Sequence, residues 1–209
     1  MPRLDRASLL AGVDRLTRRD RRLHALVMRF GPPPLWGRPT GFATLLRIIL
    51  EQQVSLASAK ALYTRLSASV PEVAPATVLR LGVTGLQALG FTRQKASYCH
   101  GLAAHVSDGR LPLRRLGRMP DDDALERLMQ VPGIGPWTAG IYLLMALRRP
   151  DIWPPGDLAL HKAMAPFERG VTPSTARAEE IASGWRPLRA VAARILWHSY
   201  LSARTALVA

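Results

Sequence analysis

The segment Leu128-Met-Gln-Val-Pro-Gly-Ile-Gly-Pro-Trp-Thr-Ala-Gly140 sits between two helix-forming patterns, 121–129 and 136–147. Gly133 and Gly135 bracket one apolar residue, Ile134. Two glycines at this spacing let the backbone turn tightly and come close to another molecule. Pro136 suits the first position of the following helix, where its missing N–H costs nothing. The free amides of the turn and of that helix start then point outward together, which makes an anion site fit for a phosphate. Thr138 is placed to add a hydroxyl contact, and Ile134 to plug the hairpin into the core. A bare Gly-x-Gly between helices more often makes a plain turn. The longer string Pro-Gly-Ile-Gly-x-Trp-Thr-Ala is the more specific signal.

Outward from the hairpin, apolar residues recur at helical spacing. Helices are expected over 4–16, 21–30, 40–70, 81–89, 94–106, 121–129, 136–147, 158–167, 174–184 and 187–203. Thr40 is read as the cap of the long third helix, with Pro71 and Pro75 as its stop. Asp123 and Glu126 stand at capping-box spacing. No run of alternating β-branched residues appears, so the fold class is all-α. The whole chain, 1–209, reads as one unit of two helical lobes, approximately 1–36 plus 156–209 and 37–155. The hairpin motif covers 121–147.

The chain carries 29 Lys+Arg against 15 Asp+Glu, a net charge of +14. Only Lys60, Lys95 and Lys162 are lysines, and every other basic residue is Arg. Such a field suits a polyanion, and nucleic acid leads that class. An Arg-rich composition with its charge solvated on all faces is the plainer alternative. Cys99 is the single cysteine, so the chain cannot supply a four-cysteine zinc or iron–sulfur site. The five histidines, His24, His100, His105, His161 and His198, are scattered and suggest no metal site. The N-terminus lacks the apolar run of a signal peptide. The apolar run 141–147 is too short to span a membrane. A cytoplasmic, nucleoid-associated monomer is the expectation.

The hairpin string is similar to the motif of the HhH-GPD superfamily of DNA glycosylases, in the branch that removes alkylated bases. Gly41-Phe-Ala-Thr-Leu-Leu-Arg-Ile-Ile-Leu-Glu-Gln-Gln-Val-Ser55 resembles the family's Gln-Gln-Val-Ser helix, with Glu51 where glycine is usual. Leu89-Gly-Phe-Thr-Arg-Gln-Lys-Ala96 resembles the loop that enters the DNA minor groove. Trp185-Arg-Pro-Leu-Arg-Ala-Val-Ala-Ala-Arg-Ile-Leu-Trp197 resembles the closing helix. The matches fall in the family's order over most of the chain.

The resemblance implies an alkylated-purine glycosylase acting on double-stranded DNA, with release of 3-methyladenine or 7-methylguanine initiating base-excision repair. It implies that the hairpin residues Gly133, Gly135 and Thr138 grip the DNA backbone. The carbonyls of Met129, Val131 and Ile134 would hold a structural Na+ or K+, with no other cofactor required. Asp157, before a Leu-x-Leu helix start, takes the position of the catalytic aspartate. On its own Asp157 reads only as a helix cap, and Asp151 is its nearest rival. A carboxylate fits the chemistry, since breaking an N-glycosidic bond builds positive charge on the sugar. Related lyases carry a lysine at the position of Trp137, where its amine attacks the sugar. The tryptophan therefore implies a monofunctional hydrolase. Trp137 and Trp197 match aromatic pocket positions, with core packing as their alternative, and Trp36, Tyr142 and Trp153 are further lining candidates. Arg93, with Thr92 and Phe91 as rivals, is the candidate wedge that replaces the flipped base, and a simple phosphate contact is its alternative role. A glycosylase for another lesion class and a catalytically silent module for damaged or bent DNA are the competing readings.

Overall fold

The computed structural model describes residues 2–206. Among them every regular element is helical: α1 (Arg6–Arg19), α2 (Arg21–Phe30), α3 (Phe42–Glu51), α4 (Leu56–Ser69), α5 (Pro75–Ala88), α6 (Arg93–Ser107), α7 (Leu113–Leu116), α8 (Asp121–Met129), α9 (Pro136–Ile141), α10 (Leu158–Met164), α11 (Thr175–Ser183) and α12 (Arg189–Ala206). A π turn, Tyr142–Ala146, prolongs α9, and a 3-10 turn, Ala165–Glu168, prolongs α10. No described helix is long and apolar enough to cross a membrane.

The chain forms two compact units, one spanning Arg38–Leu147 and the other joining Pro2–Gly37 to the segment from Arg148 onward. The expected boundary near residue 155 therefore moves to 147, because the stretch after Leu147 is tied to the second unit. Leu4 N donates to Arg148 O at 2.8 Å and Ala190 N to Pro150 O at 3.0 Å. Arg189 grips Asp151 through Nε and its terminal nitrogen, each 3.0 Å from a carboxylate oxygen.

In the first unit α3 is the buried central helix. Phe42, Leu45, Leu46, Ile48, Ile49 and Leu50 are all buried, so apolar residues cover more than one face of it. Each fully buried Leu or Ile here contributes about 1.5–3 kcal/mol of transfer free energy. The expected single helix 40–70 breaks after Glu51. Gln52 is extended, Gln53 takes a left-handed φ of 55°, and Ser55 caps a new helix by accepting from Ser58 N. Thr40 does not cap α3. Gly41 occupies that position, and its N–H donates to the Tyr142 hydroxyl at 3.0 Å. Pro75 starts α5 rather than ending a helix, and a kink at Gly82 divides α5 where a later start was expected. The capping box expected at Asp123 is absent, because α8 already begins at Asp121 behind Pro120. Its three leading aspartates complement the helix dipole instead.

In the second unit α1 and α2 pack against α12. Leu9, Val13 and Leu16 of α1, Leu23 of α2 and the run Ala190–Ala193 of α12 are buried together in its core. Asp20 joins the helices by capping α2 and accepting the Trp185 indole N–H at 2.8 Å.

Candidate active site

In the first unit the hairpin runs from the end of α8 to the start of α9. Gly133 has a φ of +88°, and an added Cβ would land on the Tyr98 ring. The fold itself therefore demands glycine there. Gly135 differs: its φ is −91°, and an added Cβ would meet nothing within 4 Å. Nothing in the chain's own packing requires glycine at 135, and its open face admits another molecule's backbone. Ile134 is buried, as expected of the plug.

Gln52 holds this turn. Its Nε2 donates to Gly133 O and to Thr138 Oγ1, each at 2.8 Å. Thr138 is only 2% exposed, so its expected hydroxyl contact with a phosphate gives way to an internal one. Gln52 lay in the quoted helix motif, but its partners are more than 80 positions away and no local pattern announces them. The turn that follows carries the exposed polar Gln53 and the exposed apolar Val54 and Leu56.

Of the three carbonyls proposed for a cation, Val131 O accepts the Ile134 amide at 3.0 Å, and a carbonyl retains a second lone pair. Val131 and Ile134 are buried while Met129 is exposed. Neutral carbonyl oxygens around a tight turn suit a hard monovalent ion.

At the expected wedge, Phe91 is buried at 4% exposure and cannot serve as a tip. Thr92 spends its hydroxyl capping α6 by accepting from Lys95 N. Arg93 is exposed at the first position of α6. Lys95, the nearby lysine, is turned inward and donates to Leu50 O at 2.6 Å.

In the second unit Asp157 caps α10 and is buried, with 9% exposure. Its Oδ1 accepts from Leu160 N at 3.0 Å and from the Trp197 indole N–H at 3.1 Å. The first contact is an ordinary cap. The second comes from Trp197 of α12, a base-pocket candidate that is itself only 8% exposed, so its indole N–H holds the carboxylate oxygen and little of its ring faces open space. Asp151, the rival carboxylate, is bound by Arg189 and also by Arg186 Nη1 at 3.2 Å, a structural hub. The other aromatic candidates separate. Tyr142 is wholly buried and engaged with Gly41, and Trp153 packs on Trp185 with ring centres 5.8 Å apart, so neither lines an open pocket. Trp36 is half-buried edge-on to His198, and Trp137 is half-buried in the first turn of α9. Among the described residues no cluster of three or more His, Cys, Asp or Glu forms a metal site.

The family model of the HhH-GPD superfamily of base excision DNA repair proteins matches residues 46–187, which include the hairpin and Asp157. YfjP of Bacillus subtilis is 29% identical over 164 residues, covering 74% of this chain; the chain spans only 57% of that relative's length. The 3-methyladenine DNA glycosylase Mag1 of Schizosaccharomyces pombe, solved in complex with abasic DNA, superposes with a TM-score of 0.75 at 25% identity, over 85% of this chain and 88% of that one. A DNA-3-methyladenine glycosidase of Bacillus halodurans superposes with a TM-score of 0.80 at 26% identity, over 93% and 91% of the two chains. With its hairpin, its helix-capping aspartate and a family match over most of its length, this chain belongs to the HhH-GPD superfamily of base excision DNA repair proteins.

Proposed function

We propose that the chain is a monofunctional DNA glycosylase that hydrolyses the N-glycosidic bond of alkylated purines in duplex DNA. The observation that carries the reading is Asp157. A buried carboxylate held by two N–H donors on one oxygen is oriented more firmly than a helix cap needs. In the reaction the bond between sugar and base lengthens and positive charge grows on the deoxyribose. The Asp157 carboxylate stabilises that charge and orients or deprotonates the attacking water. Trp197 keeps the carboxyl aimed through the step.

The hairpin supplies the anchorage. Amides around Gly133 and Gly135 receive a backbone phosphate, and the open face at Gly135 lets it approach. A monovalent cation on the carbonyls of Met129, Val131 and Ile134 would add positive charge to that phosphate site. The half-buried Trp137 offers an indole face to the base, and a cationic alkylpurine gains about 0.5–2 kcal/mol from such a face. An alkylated cationic base is also a good leaving group, so little acid catalysis is needed. Arg93 and the exposed turn at Gln53 are the candidates for the group that fills the vacated stack.

Trp137 stands where a lyase carries its lysine, which supports hydrolysis without strand cleavage. The test is base release from duplex DNA treated with a methylating agent, with borohydride added in parallel. Release of 3-methyladenine and 7-methylguanine with no trapped covalent adduct is expected. A trapped adduct would overturn the monofunctional assignment. Tight DNA binding without base release would favour a silent binding module.

A further inference from the structure

Glu51 ends α3 with its side chain only 6% exposed. A carboxylate is disfavoured there twice, by burial and by the negative end of the helix dipole. Two arginines offset this. Arg38 Nη1 and Nη2 donate to Glu51 Oε2 and Oε1 at 2.9 and 3.0 Å, a two-pronged pair. Arg47 Nε lies 3.4 Å from Oε1, one turn back along α3. Lys95 Nζ, the other cation at this helix end, is spent on the Leu50 carbonyl.

The two partners of this helix end reach opposite ends of one segment. Arg38 N donates to Met145 O at 2.9 Å, in the π turn that prolongs α9. The next residue after Glu51 is Gln52, which holds Gly133 and Thr138 at the start of α9. Residues 51 and 52 therefore brace the second hairpin helix at both ends, one through Arg38 and one directly. A neutral residue at 51 would leave Arg38 without its carboxylate and α3 free to fray just where Gln52 departs.

We infer that Glu51 is a positioning residue for DNA binding: with Arg38 it sets the geometry from which Gln52 holds the hairpin. The inference rests on the glycosylase reading for its consequence in DNA affinity, and on the contacts alone for its consequence in hairpin rigidity.

The test compares Glu51→Gln, Gln52→Ala and the double variant. Affinity for duplex DNA bearing an abasic site is measured together with amide hydrogen exchange of residues 131–138 in the free protein. Each single variant should weaken binding about tenfold and speed exchange at the hairpin, with α12 amides unchanged. The double variant should be no worse than Gln52→Ala, since both act through one support. The loss should show in the DNA concentration needed for half-maximal base release more than in the rate at saturation. A double variant about a hundredfold weaker, the product of two independent losses, would overturn the coupling. So would an unchanged hairpin in Glu51→Gln. If Glu51→Gln loosens the hairpin while the wild-type chain ignores DNA, the brace stands and the glycosylase reading falls. Should Glu51→Gln fold poorly, Arg38→Gln removes the same pair from the less buried partner and must give the same pattern.

Discussion

Replacing Asp157 by Asn separates its two roles. Asparagine caps helices as well as aspartate does, and its Oδ1 can still accept from Leu160 N and the Trp197 indole. The folded state should therefore lose less than about 1 kcal/mol. What vanishes is the negative charge. A carboxylate about 4 Å from the developing sugar cation, at an effective dielectric near 20, contributes about 4 kcal/mol. That is roughly a thousandfold in rate, and a loss of at least about 10²-fold is the threshold for the assignment. Alanine behaves differently, because it deletes the cap and strands the buried Trp197 N–H. It should cost about 2–4 kcal/mol of stability as well as the activity. The assay is single-turnover release of methylated purines, run beside thermal melts of all three proteins. Asp157→Asn melting like wild type and releasing base at the wild-type rate would refute the reasoning. A rate loss that merely tracked the melting temperature would refute it too.

The two hairpin glycines should part company. Gly133→Ala forces a Cβ onto the Tyr98 ring at a left-handed φ and should cost about 2–4 kcal/mol in denaturant unfolding. Gly135→Ala should leave stability within about 0.5 kcal/mol and weaken DNA binding, read by titration of a fluorescent duplex. Cys99 is buried, and burial lifts its thiol to about 12, so iodoacetamide at pH 8 should label it only after unfolding. Asp20 sets the acid limit of the second unit. Burial raises its carboxyl, but hydrogen bonds from Arg22 and Trp185 outweigh that and bring it from 3.8 to about 2. The folded state thus holds this proton less tightly, and the stabilisation present above pH 3.8 is lost as pH falls toward 2. It amounts to about 1 kcal/mol once solvent screening is allowed for, and Asp20→Asn should flatten that part of the pH–stability curve.

Helix periodicity, the Gly133-Ile-Gly135 turn and the Asp157 cap are local facts, each set by a few consecutive residues and their backbone preferences. For that reason the all-α class, the hairpin and the aspartate were legible in the chain alone. Helix boundaries were less so. The break after Glu51 carries no proline or glycine, and it exists because Gln52 is drawn out of α3 to the hairpin. Phe91, Tyr142 and Trp153 could not be sorted from the true wedge and pocket candidates beforehand, because an aromatic side chain looks the same in sequence whether it packs inward or faces a ligand. Composition likewise could not tell that Thr138 turns inward. Trp197 orienting Asp157, Gln52 supporting the hairpin and Arg38 answering Glu51 are all pairings across long stretches of chain. No residue's neighbours in sequence encode such a pairing; only the packing that brings distant donors and acceptors within 3 Å decides it.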